Sequence, residues 1–190
     1  MTPLVLGSTS RYRQELLSRL RLPFAVDAPD VDETPAPDEP AHVLARRLAQ
    51  AKARAVALRH PGAWVIGSDQ AASLDGQPVG KPGGREAARS QLVRASGRQL
   101  QFHTAVCLHR DGEEIAFRDL TQVRFRALEN AEIDRYLDLE PAFDCAGSFK
   151  SEGLGISLFE SVQSQDPTAL VGLPLIALAA ALRQAGYRLP

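Results

Sequence analysis

Three carboxylates fall within four residues at Asp30-Val31-Asp32-Glu33. Oxygen donors at this density suit a divalent cation, Mg2+ or Mn2+. An acidic run between prolines, here Pro29 and Pro35, is equally the composition of a solvated loop. The complementary charge is arginine almost throughout. Of 22 basic residues only Lys52, Lys81 and Lys150 are lysines, so a compact ammonium is kept at three places against the bias of the chain. Lys52 comes one helical turn after Leu48, beside an apolar stripe, and can face inward or snorkel. Lys81 sits in Gly80-Lys81-Pro82, where proline stiffens the turn and glycine lets backbone approach a ligand. Lys150 lies in the run Gly147-Ser148-Phe149-Lys150-Ser151-Glu152-Gly153. Each is weak alone. With Arg13 they make four cations for a polyphosphate.

Two further segments carry chemistry. Gly7-Ser8-Thr9-Ser10-Arg11-Tyr12-Arg13 joins an apolar strand to a helix. Unpaired N–H groups at a helix start, with hydroxyls beside them, form an anion site. Arg13, just inside the helix, can grip a phosphate with two donors. An ordinary serine N-cap with a solvated arginine would read the same way. The segment is not a P-loop, because the GxxxxGK[ST] order is absent. The second is Asp69, which follows the apolar run Trp64-Val65-Ile66-Gly67. Open α/β sheets bind ligands beyond the carboxyl ends of strands. A carboxylate there suits a metal, or a water that must lose a proton. A structural aspartate capping the next turn is the alternative.

The elements that must position these residues follow from periodicity. Residues 3–7 and 24–28 read as short strands. Helices are expected over 11–20, with Leu16, Leu17 and Leu20 on one face, and over 41–59, with Leu44, Leu48, Ala51, Ala55 and Leu58 at helical spacing. Residues 64–67 form a buried strand with Asp69 just past its end. A turn-rich link at 80–84 leads to a helix over 85–95. Strands over 99–109 and 114–126 pair around Asp111-Gly112. A short helix spans 129–137, a strand lies near 156–159, and a last helix starts near Pro174 and ends before Gly186. Early alternation of strands and helices, then local pairing, predicts an α/β domain with a mixed sheet and two lobes.

Composition narrows the class. With 190 residues, 44% hydrophobic and 24% charged, the chain can bury a core as one domain spanning 1–190, or as two small lobes sharing a sheet. A net charge of −1 gives no broad basic face, which argues against polymeric nucleic acid as a partner. The start Met1-Thr2-Pro3-Leu4-Val5-Leu6 has no basic n-region or long apolar stretch, so no signal peptide is expected. No apolar run approaches a membrane span of ~20 residues. Cys107 and Cys145 lack metal spacing and fit free thiols in a reducing cytoplasm. His42, His60, His103 and His109 show no ligand pairing.

Taken in order, these pieces resemble the Maf family of nucleotide pyrophosphatases. The carriers are Ser8-Thr9-Ser10 with Arg13, Val31-Asp32-Glu33-Thr34, Lys52, Gly67-Ser68-Asp69, Gly80-Lys81-Pro82 and Val171-Gly172-Leu173-Pro174-Leu175. The resemblance covers nearly the whole chain. It implies an elongated mixed β-sheet flanked by helices, with two lobes and a central cleft, similar to inosine-triphosphate pyrophosphatases. It implies Asp69 as general base, Glu33 and Asp69 as ligands of a divalent ion, and Ser8, Arg13, Lys52 and Lys81 as binders of a nucleoside triphosphate. The products would be a nucleoside monophosphate and pyrophosphate. A homodimer is compatible with the resemblance. Arg11 and Gln14 depart from many relatives, which carry proline or arginine around those positions.

Within the family the chain looks like the branch acting on 7-methyl-GTP, on Tyr12, Gln70 and the run 144–153 with Glu152. The branch acting on dTTP and UTP typically has Arg, Thr and Gln at the places of Tyr12, Gln70 and Glu152. The chemistry is consistent. A 7-methylguanine ring carries positive charge near neutral pH. Tyr12 could stack on it, for roughly 0.5–2 kcal/mol of cation–π attraction, and Glu152 could accept from its N–H donors. Two other readings stand beside this one. The family takes its name from effects on septum formation, so the chain could be a nucleotide-binding regulator of cell division. Asp30-Val31-Asp32-Glu33-Thr34 also contains the Asp-x-Asp-x-Thr pattern of haloacid-dehalogenase-type phosphatases, with Asp30 as a phospho-aspartate nucleophile. That pattern needs an apolar strand running directly into the first aspartate, whereas Pro29 precedes Asp30 and Pro35 follows Thr34.

Overall fold

The computed structural model describes residues 2–190. Its scaffold is one mixed sheet of seven strands: β1 (Leu4–Gly7), β2 (Ala25–Asp27), β3 (Trp64–Leu74), β4 (Gln77–Val79), β5 (Gln99–Arg110), β6 (Glu113–Phe125) and β7 (Phe159–Gln163). The order is β2-β1-β3-β5-β6-β7, with β4 paired to β3 off this path. β1 pairs in parallel with both β2 and β3. β3 with β4 and β6 with β7 are antiparallel. Five helices complete the chain: α1 (Arg11–Ser18), α2 (Ala41–Ala57), α3 (Arg85–Ala95), α4 (Asn130–Leu139) and α5 (Leu175–Gln184). The expected mixed sheet with flanking helices is present.

Contacts divide the chain into two compact units. The first holds residues 1–70, 104–119 and 166–190, and the second 71–103 and 120–165. In the first unit the alternation of strand side chains assigns the layers. Leu4 and Leu6 of β1 and Trp64 and Ile66 of β3 pack with Leu16 and Leu17 of α1 and Leu178 and Leu182 of α5. Val5 and Val65, one residue out of step, join Val56 of α2 in a separate cluster. Each fully buried large aliphatic is worth about 1.5–3 kcal/mol, so β1 and β3 are fixed from both faces. In the second unit Phe102, Phe125, Phe149 and Phe159 meet edge to face, with centroids 4.7–5.6 Å apart.

Helix α2 lies unusually close to the sheet. Gly7 and Gly67 are register partners on β1 and β3. A Cβ at Gly67 would come within 2.2 Å of the Ala49 carbonyl oxygen and 2.4 Å of the Ala53 nitrogen. Gly67 beneath Ala49 and Ala53, with Gly7 beside it beneath Lys52 and Val56, therefore removes the spacing that side chains would impose. This approach brings Lys52, which the sequence left free to face either way, into the buried interior at 5% exposure.

Three expectations need correction. β3 does not end at Gly67 but runs on to Leu74, so Asp69 lies inside a strand. Ser68, Asp69 and Gln70 read as turn residues, yet each finds a partner, and satisfied polar groups are tolerated in a buried strand. What ends at Gly67 is the ladder with β1, so Asp69 still stands two residues past the carboxyl end of the parallel pairing. The hairpin β3–β4 was not foreseen, although Asp75-Gly76, both at positive φ, is the signature of a two-residue turn. The strand expected near 156–159 begins only at Phe159, after a 3₁₀ turn over Leu154–Leu158. The Glu140 carboxylate accepts from the Leu154 and Gly155 amides and holds that segment as a turn.

Candidate active site

The first unit gathers most of the residues singled out above. Ser8 follows β1 directly and is buried, and its hydroxyl accepts from the Ser10 amide at 3.1 Å. Ser10 caps α1, its Oγ accepting from the Arg13 amide at 3.4 Å. The first turn of α1 contains no acidic residue, so the positive end of the helix is not neutralised locally. Arg13 rises from that turn. Its Nε donates to the Gly172 carbonyl at 3.0 Å, and a terminal nitrogen reaches the Ser8 hydroxyl at 3.5 Å. Burial pulls the guanidinium pKa down, while Asp69 and Glu33 pull it up.

The centre of the cluster is an ammonium between two carboxylates. Lys52 Nζ lies 2.7 Å from Asp69 Oδ1 and 2.7 Å from Glu33 Oε1. Asp69 is buried and Glu33 largely exposed, with 61% of its side chain accessible. Burial pushes the Asp69 carboxyl above its ordinary value, against the opposing pull of Lys52 and Arg13. A carboxylate raised in this way is a stronger proton acceptor than a solvated one.

The acidic loop is sorted by its contacts. Arg47 of α2 grips Glu39 through two 2.7 Å bonds and donates to the Thr34 carbonyl at 3.1 Å, tying the loop to the helix. Asp32 accepts from the Thr34 amide at 2.9 Å, and Thr34 holds its carboxyl below the ordinary range through hydroxyl and amide. Of the three clustered carboxylates, Glu33 is the one paired with Lys52. Asp30 is exposed in irregular backbone, three residues beyond the end of β2. No strand runs into it, so the geometry a phospho-aspartate nucleophile requires is missing.

The donor set fits a divalent ion. Two carboxylates converge on one cationic point, the position of the Lys52 ammonium. Mg2+ is commonly held by one or two carboxylates, with water and substrate phosphates completing the shell. Among the described residues no three His, Cys, Asp or Glu side chains group as a metal cage.

The other candidates are distributed as follows. Tyr12 is half-buried on α1, with the Arg11 guanidinium 5.9 Å from its ring centroid. The Gln70 amide nitrogen faces Thr104 Oγ1 and the carbonyls of Ala169 and Leu170 at 2.9–3.1 Å. Lys81 and Glu152 belong to the second unit. Both are exposed, and Glu152 accepts from the Ser151 hydroxyl at 3.2 Å. Cys145 is pushed up to about 12 by burial, so it stays a thiol. Sequence reasoning missed Arg47 and Thr104, and it named Ser68 within a motif without giving it a role. It also gave no role to Gly172, whose carbonyl accepts from both Arg13 and the Ser68 hydroxyl. A Gly-Leu-Pro turn was the available signal for Gly172.

The profile of Maf-like proteins matches residues 3–185. The chain belongs to the Maf family. Similar proteins include a 7-methyl-GTP pyrophosphatase of Xanthomonas oryzae pv. oryzae, 63% identical over 190 residues and covering all of both chains. A 7-methyl-GTP pyrophosphatase of Xanthomonas campestris pv. campestris is 60% identical over 191 residues, again with complete coverage of both. One of Bordetella pertussis is 57% identical over 184 residues, 96% of this chain and 92% of the relative. The mixed sheet and its helices agree with the Maf α/β fold.

Proposed function

We propose that this Maf protein hydrolyses 7-methyl-GTP, and related modified nucleotides, to the nucleoside monophosphate and pyrophosphate. The observation that carries the reading is the Lys52 ammonium held 2.7 Å from both Asp69 and Glu33, beside Ser8 and Arg13. Full-length similarity to proteins named for that activity supports the substrate. Residues 1–190 act as one catalytic domain in the cytoplasm, on free nucleotides. No helix among the described residues is long and apolar enough to cross a membrane.

The chemistry follows from charge. Water attacks the α-phosphorus, the bond to the α–β bridging oxygen breaks, and pyrophosphate leaves with the electron pair. Asp69 accepts the proton of the attacking water. Arg13 and Lys52 neutralise the phosphates and the leaving group, and Ser8 and the N-terminus of α1 orient them. Such electrostatic stabilisation is most of what phosphoryl transfer needs. Glu33 and Asp69 would hold Mg2+ or Mn2+, which supplies Lewis-acid neutralisation of phosphate charge when bound. Tyr12 and Glu152 are assigned to the methylated base.

The test is a product assay with 7-methyl-GTP, GTP, UTP and dTTP, with and without chelator. Pyrophosphate should be the sole inorganic product, formed only with Mg2+ or Mn2+ present, and Asp69→Asn should reduce turnover by ~10²-fold or more, the scale of losing a general base. Orthophosphate as product, or full activity in Asp69→Asn, would reject the assignment. Tight triphosphate binding without turnover under every metal would favour a regulatory binding protein instead.

A further inference from the structure

Gln70 sits next to Asp69, and the branch comparison places it among the residues that choose the base. Its contacts point elsewhere. The amide nitrogen lies 2.9 Å from Thr104 Oγ1, 3.1 Å from the Ala169 carbonyl and 3.0 Å from the Leu170 carbonyl. Carbonyls only accept, so the nitrogen, not the oxygen, of the amide must face them. Its two protons serve three acceptors, the Thr104 hydroxyl oxygen on β5 and two carbonyls of one turn, which leaves no donor for a ligand.

The same turn receives a second support. Thr104, fully buried on β5, donates its hydroxyl to the Ala169 carbonyl at 2.9 Å. Ala169–Val171 forms a 3₁₀ turn, and the Gly172 amide closes it onto the Ala169 carbonyl at 2.9 Å. Gly172 has φ 122°, a conformation that disfavours a side chain. Its carbonyl is thereby aimed at the two donors it serves, Arg13 Nε at 3.0 Å and Ser68 Oγ at 3.1 Å. The line of contacts runs from Thr104 and Gln70, through the turn, to the guanidinium assigned to the phosphates.

We infer that Thr104 and Gln70 are positioning residues: they brace the 169–172 turn so that the Gly172 carbonyl holds Arg13 in its phosphate-binding orientation. Gln70 thus acts on the triphosphate through Arg13 and does not read the base. A threonine at position 70, the choice of the dTTP and UTP branch, is two heavy atoms shorter than glutamine. The branch difference at this site is then a difference in how the turn is braced.

The inference rests on the proposed role of Arg13, and the experiment separates the two. Thr104→Val and Gln70→Met are close in size to the natural residues and remove the donors without adding charge, and Thr104→Ser keeps the hydroxyl. Both donor-less variants should lower kcat/KM for 7-methyl-GTP and UTP alike, by ~10-fold for an arginine displaced by a fraction of an ångström. Thr104→Ser should stay near wild type. In an Arg13→Ala background, Thr104→Val should have little further effect, because the two changes disrupt the same interaction. If Arg13→Ala itself leaves turnover intact, the phosphate assignment fails. If Arg13→Ala is inactive but folded Thr104→Val keeps wild-type kcat/KM, or the two changes add, the brace is refuted. A Gln70→Met protein that changes the ratio of 7-methyl-GTP to UTP, while Thr104→Val does not, refutes it too. Should Thr104→Val not fold, Gln70→Met decides alone on that ratio.

Discussion

Replacing Gly67 by alanine tests whether the close approach of α2 is what delivers Lys52 to its carboxylates. The new Cβ would stand 2.2 Å from the Ala49 carbonyl oxygen, 2.4 Å from the Ala53 nitrogen and 2.8 Å from the Ala53 Cβ. Real Cβ contacts essentially never fall below 3.0 Å, and the first two obstacles are helix backbone, which cannot rotate away. The helix must therefore retreat by about 0.8 Å or deform locally, because packed interiors do not absorb such overlap. Overpacking of this kind costs about 1–3 kcal/mol. For a chain of this size 1 kcal/mol lowers Tm by about 2–4 °C, so a fall of about 2–12 °C is expected. Lys52 precedes Ala53 directly and keeps 2.7 Å contacts to both Glu33 and Asp69. A displacement near 1 Å in a catalytic constellation can cost up to ~10²-fold in rate. Thermal melts followed by circular dichroism, together with kcat/KM from pyrophosphate release, measure both effects. Gly7→Ala is the internal comparison. Its nearest neighbour is the Val56 Cγ2 at 3.2 Å, so shifts of a few tenths of an ångström suffice and both losses should be smaller. An unchanged Tm would refute the packing argument. A lowered Tm with kcat/KM within ~2-fold of wild type would show that the ammonium does not depend on the approach of the helix.

Two other outcomes follow from local electrostatics. Asp27 is held down to about 2, chiefly by its bond from Arg59 and then by His60, and Glu39 is held to about 2 by Arg47. Folded values below the unfolded ones give stability that is present above pH ~4.5 and lost as the pH falls toward ~2. Asp27→Asn and Glu39→Gln should therefore flatten the fall of Tm between those limits, and an unaltered slope would remove these pairs as its source. At the assigned base contacts, Glu152→Gln should weaken selection of 7-methyl-GTP over UTP, because an amide accepts less strongly from a cationic ring. Competition kinetics with both nucleotides measure the ratio, and an unchanged ratio would place base recognition elsewhere.

Much of the architecture was legible because it depends on local pattern. The continuous apolar run Leu4-Val5-Leu6 and the Asp111-Gly112 turn are each written in a few neighbouring residues, whereas α2 buries Ala45, Leu48, Ala49, Ala53 and Val56, sharing only Leu48 with the stripe read from Leu44 to Leu58, and Leu58 is exposed. β3 was misread for the opposite reason. Ser68, Asp69 and Gln70 look like the end of a strand until their partners, Gly172, Lys52 and Thr104, are brought from 104, 17 and 34 residues away. Residue types could nominate Arg13, Lys52, Asp69 and the acidic loop as a group, because phosphate and divalent-ion chemistry restricts the choice of side chain, while Ser8 and Glu33 were singled out only by the family resemblance. Which carboxylate of the acidic loop meets Lys52 depended on Arg47 fastening that loop to α2, a contact with no signature in spacing.

The sequence by itself determined the reaction class, through an ordered set of motifs that resembles the Maf family as a whole although each is weak alone. Tertiary structure alone decided that Lys52 turns inward, that Glu33 rather than Asp32 faces it, and that Gln70 is spent on the 169–172 turn. The physical reason is common to all three. Each choice is set by how closely two distant backbones approach, and at Gly67 that distance depends on a missing Cβ beneath α2.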